Sequence, residues 1–111
     1  MAGTDANDTM IVPGFSLHHE LELLREAGLS PMDVLRSATS VPAIYLRRTD
    51  LYGGISAGKE ADLVLLNSNP LDTIGNTRDI FAVFTNGRHF DRAKLNALLA
   101  AVEAMARAPS P

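Results

Sequence analysis

An α+β architecture is predicted for this chain by three observations. Apolar residues recur at helical spacing through the first half, short extended runs replace them after about residue 50, and an Asn-Gly pair separates two apolar segments near residue 86. With 111 residues and 46% hydrophobic content, one modest core is the ceiling. A chain of this size buries only about two-thirds of the surface that it exposes when unfolded.

The chain opens Met1-Ala2-Gly3-Thr4-Asp5. Ala2 and Gly3 allow close backbone approach and Thr4 favours an extended conformation, so Asp5 is expected where a strand gives way to a loop. A carboxylate at a strand end is well placed for chemistry. Asn7 to Gly14 mixes polar residues with Pro13 and Gly14 and reads as an exposed loop.

From Ser16 the spacing is helical. Leu17, Leu21, Leu24 and Ala27 form one stripe with Leu23 beside it, while Glu20, Glu22, Arg25 and Glu26 fall largely on the other faces. Gly28 is expected to end that helix as a left-handed cap. A second helix should start at Ser30 as N-cap, with Pro31 in the first helical position and Asp33 near the free amides. Met32, Leu35 and Ala38 are its expected buried side. It should stop near Thr39-Ser40-Val41, because Pro42 disfavours a helical Val41, and a short third helix is expected over Ala43 to Arg47.

The extended half begins with Tyr52-Gly53-Gly54-Ile55-Ser56-Ala57-Gly58-Lys59, where three glycines imply turns flanking a short strand element. Asp62 to Asn67 is a near-continuous apolar run of strand length, expected to be buried on both faces. Asn69-Pro70 breaks it. Ile80 to Thr85, Asn86-Gly87 and Arg88 to Phe90 read as a hairpin with a type I′ turn. Asp91 is expected to cap a last helix carrying Leu95, Leu98, Leu99, Val102 and Met105, before Ala108-Pro109-Ser110-Pro111 forms a tail.

Composition narrows the functional classes. Ten Lys plus Arg against thirteen Asp plus Glu give a net charge of −3 without a basic run, which argues against nucleic acid or an anionic membrane surface as partner. The absence of cysteine excludes disulfides and thiolate zinc sites. No apolar stretch approaches the roughly 20 residues of a membrane helix, and no basic-then-apolar leader opens the sequence, so a cytoplasmic location is expected.

Four stretches carry a family resemblance: Ala2-Gly3-Thr4-Asp5; Ser16-Leu17-His18 through Glu20-Leu21 to Ala27-Gly28-Leu29-Ser30-Pro31; Ala38-Thr39 with Pro42-Ala43; and Gly54-Ile55-Ser56-Ala57-Gly58-Lys59-Glu60-Ala61-Asp62-Leu63-Val64. Asn69-Pro70-Leu71 and Asn86-Gly87-Arg88 extend it to about Leu95. In these motifs the chain resembles the C-terminal portion of metal-dependent amidohydrolases, especially the imidazolonepropionase-like and Xaa-Pro-dipeptidase-like branch. Ala57 replaces the family's usual Pro, Val41 its common Asn, and Asn67 its frequent Asp.

The resemblance implies a division into three parts. Residues 1–48 would be the end of a (β/α)8 barrel, its last strand and the helices that follow; residues 49–91 would be part of a small β-sandwich; residues 92–111 would be a C-terminal helix and tail. It implies hydrolysis of amide or other C–N bonds in a small-molecule substrate. It also implies a divalent metal, zinc foremost, with Asp5 as both metal ligand and catalytic carboxylate. Such a cation lowers the pKa of a bound water to about 7, and the carboxylate takes the proton.

The family's remaining ligands are a His-x-His pair, a lysine or equivalent, and further histidines on other strands, and this sequence has no His-x-His. His18 and Glu22 have one-turn spacing, but a solvated helix face is the stronger expectation for them, and His89 reads as structural. Asp5 alone is therefore not expected to hold metal tightly. Lys59 and Asp62 are expected to fix a turn and the start of a strand. Phe81, Phe84 and Phe90 are expected in a core or interface, and Arg47-Arg48 is too short for an anion patch. Two readings follow: the C-terminal segment of an amidohydrolase, inactive alone, or a non-catalytic α+β scaffold. Either leaves the apolar strands short of neighbours, which predicts a homo-oligomer.

Overall fold

The computed structural model describes residues 1–5 and 11–107. Asn7 to Met10 of the expected loop and the tail from Ala108 lie outside the described residues. The first half holds three helices, α1 (Phe15–Glu26), α2 (Pro31–Ala38) and α3 (Ser40–Tyr45). The second holds β1 (Leu63–Leu66), a 3₁₀ helix (Ile74–Arg78), β2 (Ile80–Thr85), β3 (Arg88–Asp91) and α4 (Arg92–Arg107).

Local chemistry sets most of these boundaries. Ser30 Oγ accepts from the Asp33 N–H at 3.2 Å and donates to Asp33 Oδ2 at 2.5 Å, so α2 begins where one side chain satisfies a free amide. Gly28, at φ 102°, carries the chain out of α1. Helix α3 starts three residues earlier than expected, at Ser40, with Pro42 in its first turn, where the missing N–H would have no intrahelical partner. Asp91 Oδ1 accepts from the Lys94 N–H at 2.9 Å and starts α4.

The three strands form an antiparallel sheet in the order β1-β2-β3. Val64 pairs with Val83 and Leu65 with Ala82, and the register slips between Leu65 and Leu66. Val83 pairs with Phe90 and Phe84 with His89. The hairpin turns at Asn86 (φ 49°) and Gly87 (φ 72°), both left-handed as a type I′ turn requires. No strand forms in the glycine-rich stretch 52–62. Lys59 Nζ holds it instead, donating to Thr49 O at 2.8 Å and Tyr52 O at 3.2 Å. Asp62 Oδ1 accepts from Thr85 Oγ1 at 2.7 Å, tying the start of β1 to the hairpin.

The central core is small: Leu21 of α1, Val34 of α2 and Ile74 of the 3₁₀ helix, with Ala2, Leu24, Leu29, Leu35 and Ala38 packed around them. Two expectations change. Met32 lies 42% exposed while Val34 is fully buried, because α2 meets α1 about one residue round from the face that its apolar spacing suggested. The run 62–67 is not buried on both faces: Val64 is 57% and Leu65 39% exposed, so neither face of β1, an edge strand of the sheet, is fully covered.

Candidate functional site

The strand expected to end at Asp5 does not form, since residues 1–5 carry no regular secondary structure, but the segment is anchored twice. The Ala2 N–H donates to Ser37 O at 2.8 Å, and the Gly3 N–H donates to Glu20 Oε1 at 2.6 Å. Both bonds come from the backbone, so they tie the opening segment to α2 and α1 whatever side chains these positions carry. Asp5 follows them with φ +50° and an exposed side chain. That left-handed conformation, tolerated by Asp better than by most residues, turns the chain sharply after Thr4. Beside the segment lies a depression of about 330 Å³ lined by Gly3, Thr4, Ile11, Ser16, His19, Glu20 and Leu23.

Glu20 acts differently from its expected role as a solvated helix carboxylate. It is half-buried and fastens the opening segment to α1. Helical periodicity could not reveal this, since it reports which face of α1 a residue occupies and not which remote amide reaches that face.

His18 and Glu22 likewise form no ligand pair and no bare solvated face. His18 Nδ1 lies 3.0 Å from Thr77 Oγ1, and that hydroxyl donates to Ile74 O at 2.9 Å. A hydroxyl has one proton, so both bonds stand together only if His18 donates from Nδ1. Its Nε2 is then the free nitrogen of the neutral ring. Burial lowers the His18 pKa from its ordinary value, and Arg78 lowers it further against the opposing pull of Glu22. Glu22 receives Arg78 through two bonds, Nε to Oε1 at 3.1 Å and Nη2 to Oε2 at 2.9 Å. This fork holds the Glu22 carboxyl below its usual value. These contacts join α1 to the 3₁₀ helix. His89 is stacked on Phe84 with ring centroids 4.6 Å apart, a structural role.

Among the described residues, no three His, Cys, Asp or Glu side chains come together as a metal site. A catalytic zinc takes three protein ligands, so the described residues do not by themselves fit the group. Asp5 can contribute one oxygen donor, and the other donors of a complete centre are not gathered around it.

The fold of the chain superposes on parts of larger solved structures. A solved structure of a protein described as a prolidase from Bifidobacterium longum superposes with a TM-score of 0.73 at 37% identity, covering 92% of this chain and 26% of that one. Molinate hydrolase superposes with a TM-score of 0.66 at 32% identity, over 74% of this chain and 18% of its own. An adenine deaminase of Serratia proteamaculans is 54% identical over 48 residues, 43% of this chain and 8% of the relative. The chain therefore spans about a quarter or less of the proteins that it matches. The profile of the Amidohydrolase family matches residues 1–95, a family that is generally metal-dependent. By that match, which includes Asp5 and both anchored residues before it, the chain belongs to the amidohydrolase family.

Proposed function

We propose that this chain forms the C-terminal part of a metal-dependent hydrolase acting on amide or other C–N bonds. Residues 2–5 serve as the last strand of a (β/α)8 barrel, α1 to α3 complete its wall, and β1 to β3 belong to a small β-sandwich. Asp5 is the catalytic carboxylate and one metal ligand, at the C-terminal end of its strand where barrel enzymes carry their chemistry. The single observation that carries this reading is the family match reaching back to residue 1, so that it takes in Asp5 at the end of an anchored segment.

The chain alone is inactive in this reading, because its described residues supply one of the donors that a metal centre requires. A non-catalytic α+β scaffold is the weaker alternative, since it leaves the matched Asp5 segment without a use. Metal analysis of the purified chain beside an Asp5→Ala variant tests the proposal. Both are expected to retain far less than one equivalent of zinc; a full equivalent in the parent that disappears in the variant would uphold Asp5 as a ligand but overturn the reading that this chain alone holds an incomplete, inactive site.

A further inference from the structure

A cavity of about 510 Å³, with Asp5 not among its lining residues, opens between the start of α1, β2 and α4. That volume falls within the roughly 300–1,000 Å³ of small-molecule sites. Phe15, Ile80, Leu95, Leu98, Leu99 and Val102 supply most of its wall, and none of its lining residues is a carboxylate. Two arginines and His18 complete it. The charge of Arg78 is matched by the Glu22 fork. That of Arg92 is not: Nε donates to Asn96 Oδ1 at 3.0 Å and Nη1 to Ile80 O at 3.0 Å, both neutral acceptors. Among the described residues no carboxylate lies in ion-pair range of Arg92. In a chain of net charge −3, this is an exposed cation held by two neutral bonds beside an apolar hollow, with no bond from Nη2 among the described residues.

We propose that this cavity binds a small amphipathic monoanion, a carboxylate on an alkyl or aryl body. The carboxylate rests on the Arg92 guanidinium and the body lies against Phe15, Leu95, Leu98 and Val102. The apolar wall supplies burial energy for the body, and the fixed guanidinium selects a carboxylate over an uncharged head group without first having to be ordered. The site is separate from Asp5, so the proposal does not depend on the hydrolase reading.

Calorimetric titration with sodium octanoate, and with 1-octanol as the uncharged probe, tests it. Saturable binding of one octanoate per chain is expected, weakened about tenfold or more in Arg92→Gln and held within a few-fold in Arg92→Lys. Octanol binding should be the same in all three. Should Arg92→Gln fail to fold, the comparison of octanoate with octanol on the parent chain still decides, with octanoate expected to bind more tightly. Absence of saturable octanoate binding, equal affinity for the two probes, or a Leu98→Glu substitution that splits an oligomer and thereby reveals a second copy in the cavity would each overturn the proposal.

Discussion

His18 donates to Thr77 from Nδ1, and its surroundings favour the neutral ring. Burial, with Arg78 beside it and Glu22 only partly offsetting, depresses its pKa; Arg92 lines the same cavity. The unfolded chain then binds more protons than the folded one between the depressed value and the ordinary value of about 6.5, so stability rises with pH across that window. The contribution is complete above the ordinary value and is lost on acidification. Glu22, held low by Arg78, and Asp79, held low by Ser68 and Asn67, add the same sign at lower pH. The melting temperature is expected to fall between about pH 7.5 and about pH 5.5, and to fall less in His18→Asn, whose amide keeps a donor near the Nδ1 position. Equal falls in both proteins, measured by circular dichroism, would place the pH dependence elsewhere.

Among the elements, the glycine-rich stretch before β1 is fixed by one close approach. Gly53 has φ +81°, and a Cβ placed on it would lie 2.7 Å from Ala43 Cβ and 3.0 Å from Ser40 Cα. The position thus combines a left-handed backbone with contact against α3. Left-handed strain costs about 1–2 kcal/mol and overpacking typically about 1–3 kcal/mol, so Gly53→Ala is expected to lose about 2–5 kcal/mol in urea unfolding. A loss below about 0.5 kcal/mol would mean that the contact yields freely. Elements whose signals are local could be read from sequence: Ser30-Pro31 at the start of α2, Asn86-Gly87 in the hairpin, and Asp91 before α4. Their defining bonds span three residues or fewer. The facing of α2 could not be read, because Val34 is buried only by where α1 and the 3₁₀ helix happen to lie.

For the molecule as a whole, size and surface disagree with a self-sufficient domain. The accessible surface is 8150 Å², against about 5,900 Å² expected of a monomeric protein of 11.9 kDa. The radius of gyration is 15.5 Å, against about 13 Å for a compact chain of this length. Apolar side chains contribute to this surface: Val64 and Phe81 are each 57% exposed, and α4 buries none of its residues. Val64, Val83 and Phe90 share one face of the sheet by register, and Phe81 lies at the register slip beside them. In isolation this sheet face, with the open edge of β1, is expected to drive homo-oligomer formation. Light scattering should give a mass above 11.9 kDa that rises with concentration; a stable monomer at high concentration would contradict it.

By itself the sequence determined the α+β composition, the caps and turns that bound the elements, and the motifs by which the family was identified. Each of these depends on neighbours a few residues away or on residue types in fixed order. Only the tertiary structure decided that Glu20 fastens Gly3, that His18 turns to Thr77 while Glu22 takes Arg78, and that β1 stands at an edge. Those contacts join residues 17 to 59 positions apart or depend on which strands lie alongside. Helical and strand periods report a face, whereas the partner on that face is chosen by how the elements pack.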